Sequence, residues 1–168
     1  MTVRSFIRYP DKRLRTLCDT VEKVDDAVQD VWQDMLDTMY AMPGVGLAAC
    51  QIGVVRRLAV VDCSDTKDQP LRMANPEILY ASEKMRWYSE GSPNLPGVSA
   101  KIKRPRAVTV RFVNGQGDSV EQDFVGLWAT SVQHQIDHLN GRMCFDHLSA
   151  TKRRMLVAKS AKLAKKGR

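Results

Sequence analysis

The fold of this chain is decided by the stretch Gln133-His134-Gln135-Ile136-Asp137-His138-Leu139-Asn140-Gly141. Its two histidines are four residues apart, and the whole chain has only three. On an α-helix, residues at positions i and i+4 lie on one face, so both imidazoles can bind one divalent metal at about 2.0–2.1 Å. Gly141 is a typical helix stop. The spacing also suits two surface or core histidines, so it leaves a metal site and a coincidence both open.

The residue after the first histidine is unusual for a metallohydrolase. Hydrolases with an H-E-x-x-H helix carry a glutamate at this position and use it as the general base. Here the position is Gln135. A side-chain amide donates and accepts hydrogen bonds but does not take up a proton near neutral pH. The stretch therefore resembles a metal-hydrolase helix without its base.

Composition places the chain among soluble globular proteins of one domain. It has 168 residues, 43% of them hydrophobic and 27% charged, which are ordinary values. No run approaches the roughly 18 apolar residues of a membrane helix, and no secretion signal is evident at the start. The four cysteines form no C-x-x-C pair, which favours free thiols in a reducing compartment. We therefore expect a cytoplasmic protein without a membrane partner.

Positive charge is concentrated in the last 18 residues, 151–168, which contain eight basic residues and no acid. Removing these eight from the 26 basic residues of the chain leaves 18 basic against 19 acidic residues for the body. A basic segment of this kind is either a solvated helix face or a patch that meets nucleic acid, most plausibly ribosomal RNA. We divide the chain into a domain over 1–150 and a basic helix or tail of the same domain over 151–168.

Hydrophobic periodicity predicts an α+β architecture, with antiparallel strands around one central histidine-bearing helix. An amphipathic N-terminal helix follows a cap at Asp25 or Asp26, and a basic helix starts near Ala150. Asn114-Gly115 is a hairpin signal between two strands, with a turn that runs on through Gln116-Gly117-Asp118. The predicted strands are 57–62, 71–74 (closed by Asn75-Pro76), 84–89, 107–113 and 119–124, with an irregular loop over 90–97 and the central helix over 127–140.

Three segments of the chain match motifs that occur together in one protein family. The first is Gly44-Val45-Gly46-Leu47-Ala48-Ala49-Cys50-Gln51, which matches the motif G-x-G-L-A-A-x-Q in full. The second, Glu90-Gly91-Ser92-Pro93-Asn94-Leu95-Pro96, corresponds to E-G-C-L-S followed by proline. The third, Gln133 to Leu139, matches Q-H-E-x-D-H-L except at Gln135. With these motifs the chain resembles the peptide deformylase family over nearly its full length.

The resemblance implies a metalloenzyme that removes the formyl group from N-formylmethionyl peptides. By that resemblance, His134, His138 and Ser92 stand at the metal-ligand positions, and the metal would be iron or zinc. Gln51 stands at an oxyanion-stabilising position, and Gln135 stands at the position of the proton-moving glutamate. Val45, Gly46 and Pro93 would contact the extended peptide.

The second and third motifs depart from the family pattern at three reactive positions. Ser92 stands in place of a cysteine ligand, and an alcohol is far less acidic than a thiol with a pKa of about 8.5. Pro93 stands in place of a leucine whose backbone N–H stabilises the oxyanion, and proline has no N–H. With Gln135, these changes predict little or no deformylase activity. The expected role is then binding of a peptide N-terminus or association with the ribosome through the basic segment.

Three other functions remain open from the sequence. The first is an active metallohydrolase with an altered ligand set, in which Ser92 or a water completes the site. Cys50 is a poor substitute ligand because, in an extended segment with Gln51 facing the site, it would face the core. The second is a Ser92 nucleophile with His134 as base, for which no third orienting group is evident. The third is pure nucleic-acid binding through the basic segment.

Overall fold

The computed structural model describes residues 1–167, so Arg168, the last of the eight basic residues, lies outside the described residues. Within that range the chain forms three α-helices and seven strands, joined by short 3-10 turns. The helices are α1 (Asp26–Ala41), α2 (Gly126–Leu139) and α3 (Ala150–Lys166). The strands are β1 (Gly46–Ala48), β2 (Leu58–Val61), β3 (Leu71–Ala81), β4 (Met85–Ser92), β5 (Leu95–Pro105), β6 (Ala107–Val113) and β7 (Ser119–Val125).

A five-stranded antiparallel sheet, in the order β1-β2-β3-β6-β7, lies between two helices. Strand β2 shows how the layers form, because all four of its residues are buried. Ala59 and Val61 belong to the apolar cluster shared with α2, whereas Leu58 and Val60 belong to the cluster shared with α1. Successive side chains of a strand point to opposite faces, so a continuous apolar run fits a strand covered on both sides. The predicted α+β class is confirmed.

Helix α1 begins where the sequence predicts. The side chain of Asp25 accepts a hydrogen bond from the backbone N–H of Val28, as an N-cap residue does. The apolar stripe of the helix then buries Trp32, Met35 and Met39 completely. This helix covers the face of the sheet opposite α2, and its C-terminal end leads into the Pro43-Gly44 loop at the candidate site.

Helix α2 ends at Leu139 with Asn140 as its C-cap, and the next residue, Gly141, has the positive φ of 74° that L side chains rarely adopt. A Cβ atom at this position would lie 2.6 Å from the carbonyl oxygen of Arg15 and 2.7 Å from its carbon. The glycine therefore lets the 3-10 turn Lys12–Arg15 approach the end of the helix that carries both histidines.

We expect Gly141→Ala to lower the free energy of unfolding by about 2–4 kcal/mol, because left-handed strain and a backbone clash add up. Urea denaturation measures this change. Gly115→Ala is the matched control, since its Cβ would meet only the Arg72 side chain at an ordinary 3.4 Å. Equal losses in both variants would contradict the role assigned to Gly141.

Two strand predictions are wrong, and both errors come from proline and glycine signals. Strand β3 does not end at Asn75-Pro76 but continues to Ala81 through two register shifts against β6. Asn75 takes a positive φ of 50°, and its side chain forms hydrogen bonds of 2.8 and 2.7 Å with the backbone of Val21. The predicted loop over 90–97 is instead the tip of the β4–β5 hairpin, with a turn at Pro93-Asn94, and β5 was not among the predicted strands.

Helix α3 forms as expected from Ala150, with Ser149 as its N-cap. Ser160 is its buried anchor, and the hydroxyl donates a 2.7 Å hydrogen bond to the carbonyl of Pro96. The basic side chains of the helix are largely exposed. Across residues 1–167 the structure contains no helix with the combination of length and apolar character that a membrane crossing requires.

Candidate active site

A cavity of about 370 Å³ lies between the β1 loop, strand β4 and helix α2. The structure brings seven of the eight residues singled out by the sequence to its wall. They are Val45, Gly46, Gln51, Ser92, Pro93, His134 and Gln135. The eighth, His138, is completely buried one helical turn behind His134.

The two histidines of α2 converge through their Nε2 atoms, which are 3.1 Å apart. Two nitrogens bound to one tetrahedral metal at about 2.0–2.1 Å would be roughly 3.3 Å apart. Complete burial lowers the pKa of His138, and the neighbouring His134 acts in the same direction. A neutral imidazole is the form that binds metal. The pair therefore fits two ligands of one divalent cation.

A buried carboxylate orients the first of these histidines. Oε1 of Glu90 accepts a 2.8 Å hydrogen bond from Nδ1 of His134, so Nε2 is left with a free lone pair. Arg104 grips Glu90 through bonds of 2.7 and 2.9 Å. Burial raises the pKa of Glu90, but the hydrogen bonds from His134 and Arg104 outweigh this effect and hold it below the ordinary value.

The same guanidinium extends the network to the protein surface. Arg104 donates a 2.9 Å bond to Asp137, which also accepts a 2.8 Å bond from Nε2 of His147. Burial raises the pKa of Asp137, but the partners His147 and Arg104 lower it more. The network joins β4, β5, α2 and the turn before α3, so it fixes the helix that carries the histidines.

A second group of possible metal ligands lies on the other side of His134. Glu90, His134 and Cys144 place their ligand atoms within 4.8 Å of one another. However, both oxygens of Glu90 already accept hydrogen bonds, and the Arg104 cation balances its charge. Burial and the charge of Glu90 raise the pKa of the Cys144 thiol to about 12. The Nε2 pair is therefore the better cation site of the two.

Gln51, Ser92 and Asn94 form a buried polar cluster at the opposite wall. Nε2 of Gln51 donates to Oδ1 of Asn94 at 2.8 Å and to the Ser92 hydroxyl at 3.3 Å. The Ser92 hydroxyl in turn donates to the same Asn94 oxygen at 3.0 Å. In the described part of the chain, the ring nitrogens of His134 bond Glu90 and His138 instead. The arrangement therefore does not favour Ser92 as a nucleophile activated by His134.

The first residue of β1, Gly46, approaches α2 so closely that a side chain there would force neighbouring side chains of the helix to move. A Cβ atom there would lie 2.4 Å from both Nε2 of Gln135 and Oγ of Ser131. Oε1 of Gln135 is buried and has no hydrogen-bond partner within residues 1–167. Because Gln135 lines the cavity, a ligand with an N–H or O–H group would satisfy this acceptor.

Cys50 faces the core, although not for the expected reason. The segment Ala49–Ile52 is a 3-10 turn and is not extended. The thiol of Cys50 donates a 3.3 Å bond to the carbonyl oxygen of His138, and the residue is completely buried. It therefore supports the histidine helix from behind and does not reach the cavity.

The family model for polypeptide deformylase matches residues 3–154 of this chain. The chain belongs to the peptide deformylase family. It is 43% identical over 167 residues to the peptide deformylase of Phenylobacterium zucineum, covering 98% of this chain and 99% of that protein. The peptide deformylase of Bartonella henselae is 44% identical over 167 residues, covering 98% of this chain and 95% of that one.

Solved structures of the family superpose closely. The peptide deformylase of Legionella pneumophila has a TM-score of 0.92 at 38% identity, covering 98% of this chain and 96% of that one. The peptide deformylase of Ehrlichia chaffeensis in complex with actinonin has a TM-score of 0.92 at 34% identity, covering 96% and 98%. The deformylase fold is therefore shown over 98% of the chain.

Several residues of this deformylase-family site are missing from the sequence prediction. Cys144 and the partners Arg104, Asp137 and His147 come from segments whose spacing gives no motif, and only their contact in the fold joins them. Tyr88, Leu127, Thr130 and Ser131 line the cavity without a chemical signature. Of the missed residues, Glu90 could have been predicted from the sequence, because it is the first residue of the second motif and lies two positions before Ser92.

Proposed function

We propose that this chain is a metal-dependent hydrolase that removes the formyl group from N-formylmethionyl peptides with an altered ligand set. The observation that carries the proposal is the 3.1 Å approach of the two Nε2 atoms beside a cavity that contains Gln51 and Gln135. Relatives over 40% identical across nearly the whole length carry the name of this enzyme, which supports an active protein. They give no support to the prediction that activity is lost.

His134 and His138 would hold the metal, with Ser92 or a water completing the set. Iron or zinc suits imidazole ligands, and when bound it would supply an acidified water and polarise the formyl oxygen. Glu90 keeps Nε2 of His134 available, as a carboxylate partner of a ligating histidine does. Ser92 is a weaker ligand than a thiolate, so we expect the metal to exchange readily.

The chain's own groups would place the peptide. The backbone of Val45 and Gly46 would pair with an extended peptide, and Pro93 would contact it from the other wall. The Gln51 amide points into the polar cluster with Ser92, where it would stabilise the oxyanion. The Gln135 oxygen would accept a hydrogen bond from the attacking water or the substrate and hold it in place, without taking its proton.

Turnover of formyl-Met-Ala-Ser under anaerobic conditions, with added iron, nickel or zinc, tests this function. We expect slow turnover that depends on the added metal. His138→Ala should abolish it and remove the metal, measured by atomic emission on protein whose fold is checked by circular dichroism. Unchanged metal content in His138→Ala would contradict the assigned ligand pair.

A second function is favoured by the chemistry of three cavity residues. Gln135 cannot take a proton, Pro93 offers no backbone N–H, and Ser92 is no thiolate. A protein with such a cavity would bind a peptide N-terminus without cleaving it. Binding of actinonin, the ligand of the Ehrlichia chaffeensis relative, with no turnover under any metal would select this function over the first.

We also propose that the protein works in the cytoplasm on nascent peptides and docks at the ribosome through α3. The support is the exposed basic helix, which carries seven of the eight basic residues of the terminal segment. We expect cosedimentation with ribosomes that weakens steeply as salt is raised and is lost on deleting 159–168. Binding that is insensitive to salt, or retained after the deletion, would contradict this docking mode.

A further inference from the structure

The outer face of the β4–β5 hairpin carries a set of exposed side chains that the proposed function does not use. We propose that this face binds single-stranded RNA. We call it the basic aromatic face, and its residues are Met85, Trp87, Ser89, Ser99, Lys101 and Lys103. The proposal does not depend on catalysis, since none of these six residues except Ser89 borders the cavity.

Strand register places these side chains on one surface. In β4–β5 the directly paired residues include Trp87 with Lys103 and Ser89 with Lys101. Paired residues of an antiparallel ladder project to the same side, and alternate residues share a face. The intervening residues Ile102 and Arg104 are buried. The hairpin therefore has an inner face toward the core and an outer face in solvent.

An aromatic ring stands in the middle of the outer face. Trp87 is 63% exposed, which is unusual for the largest apolar side chain. The ammonium of Lys103 lies 5.9 Å from the centre of its ring. At this exposure most of the side-chain surface is accessible to solvent. Nucleobases stack on such exposed rings regardless of sequence.

The charged side chains on the outer face are of one sign. The face contains Lys101 and Lys103 and no acidic residue, and Lys84 and Arg106 are exposed with Glu83 at the open end of the hairpin. The body of the chain is otherwise nearly neutral, with 18 basic and 19 acidic residues before residue 151. A local excess of lysine beside an exposed tryptophan is thus a feature of this face, and it suits a partner with regularly spaced negative charge.

The other end of the face is bounded by the basic helix α3. A Cβ atom at Gly97 would lie 3.0 Å from the Leu163 side chain, so the helix crosses the hairpin at this glycine. Positive charge therefore continues from the lysines of β5 to those of α3. A strand of nucleic acid crossing Trp87 would meet basic groups on both sides, as in a groove that tracks a phosphate backbone.

Hydroxyl groups on the same face favour RNA over DNA. Ser89 and Ser99 are exposed next to the lysines, and Ser89 is paired directly with Lys101. A serine hydroxyl can both donate to and accept from the ribose 2′-OH, which is the group that lets a protein distinguish RNA from DNA. A single strand is expected because its unpaired bases are free to stack on Trp87.

The test is fluorescence anisotropy of labelled oligouridylate with the full chain between about 50 and about 200 mM salt. We expect Trp87→Ala to weaken binding about 5- to 150-fold, since one stacked base contributes that much. Tyr80→Ala is the matched control, because Tyr80 is equally exposed at 63% but lies on β3. It should leave the affinity unchanged.

Variants that remove lysines distinguish the contribution of this face to RNA binding from that of α3. Lys101→Gln with Lys103→Gln should reduce the slope of log affinity against log salt by about 1.4, since each phosphate contact to a single strand contributes about 0.7. The pair Lys159→Gln with Lys162→Gln is the comparison on the helix, and it should change the slope less. Circular dichroism and the peptide turnover assay verify that the hairpin variants remain folded.

Three results would overturn the proposal. The first is an affinity that Trp87→Ala does not change, or a loss seen only with the α3 pair. The second is equal affinity for oligothymidylate, which would remove the assignment to RNA. The third is displacement of the oligonucleotide by an acidic peptide at equal charge, which would show an interface that recognises charge without stacking.

Discussion

Ser92→Cys, Pro93→Leu and Gln135→Glu together should raise kcat/KM for formyl-Met-Ala-Ser by about 10³-fold or more over the unmodified protein. A positioned proton-transfer group contributes about 10²–10⁴-fold, and an oxyanion-hole donor about 10²–10³-fold. Because groups that act as a unit are not additive, the product of these factors is an upper bound. The measurement is steady-state turnover with iron or nickel under anaerobic conditions.

The single variants assign the gain to its causes. Gln135→Glu supplies a proton acceptor and should raise kcat most, with little change in KM. Ser92→Cys supplies a thiolate, so its main readout is a slower loss of metal to a chelator. Pro93→Leu restores a backbone N–H and should act on kcat. Ser92→Cys and Gln135→Glu change the side-chain volume little, so the cavity itself should persist in these two variants.

Two control variants change the same positions without adding the reactive group. Gln135→Met keeps the length of the side chain but offers no acceptor, and it should not accelerate the reaction. Ser92→Ala removes the hydroxyl from the cluster with Gln51 and should not improve metal retention. An unmodified protein that is already as fast as the triple variant would show that other groups supply the base and the donor. Our interpretation of the three residues would then be wrong.

Local signals explain which parts of the fold the sequence predicts. The cap at Asp25, the Asn114-Gly115 turn and the stop at Gly141 each depend on the backbone preferences of one or two residues. The structure agrees with all three. Asn75 and the Pro93-Asn94 turn carry equally strong loop signals, yet a strand continues past the first and a hairpin closes at the second. At Asn75, hydrogen bonds to the backbone of the distant Val21 outweigh the local preference. At Pro93-Asn94 the turn forms as the local signal predicts, but the flanking strands extend up to it.

In the candidate site too, residues within short motifs are predictable from the sequence and contacts between distant segments are not. Gln51, Ser92, His134 and His138 lie within short motifs, so the family resemblance is enough to assign them to one site. Asn94 is an example of a site residue whose contacts cannot be predicted from a motif. It is 1% exposed and accepts from Gln51 and Ser92, while its amide donates to the carbonyl of Ile7 at 2.6 Å. That contact spans 87 positions of sequence, and no local pattern encodes it.

We expect the substitution of Arg104 to have the largest effect on stability. Arg104→Met should lower the free energy of unfolding near neutral pH by about 3–5 kcal/mol, because it leaves the buried carboxylate of Glu90 and the partly buried carboxylate of Asp137 without their cation. Urea denaturation measures the change. Arg111→Met is the matched control, since its ion pair with Glu121 is exposed, with side chains 49% and 56% accessible. That variant should lose less than about 1 kcal/mol.

The pH dependence of this loss identifies its cause. The pKa values of Glu90 and Asp137 are lowered in the folded protein, so their contribution is present above the unfolded values near 4 and is lost as the pH falls through the folded values. In Arg104→Met, burial acts without the guanidinium and raises both pKa values, so protonation relieves the buried charge earlier. The stability difference between the two proteins should therefore be largest near neutral pH and shrink below about pH 4.

A loss that stays constant from neutral to acidic pH would assign the effect of Arg104→Met to packing instead of charge. Arg104→Lys distinguishes the two further, because it keeps the charge but lacks the planar guanidinium fork that binds a carboxylate through two parallel hydrogen bonds. We expect it to lose about 1–3 kcal/mol, between the native protein and the methionine variant. If lysine and methionine were equally destabilising, the fork geometry that holds Glu90 against His134 would matter more than the cation it carries.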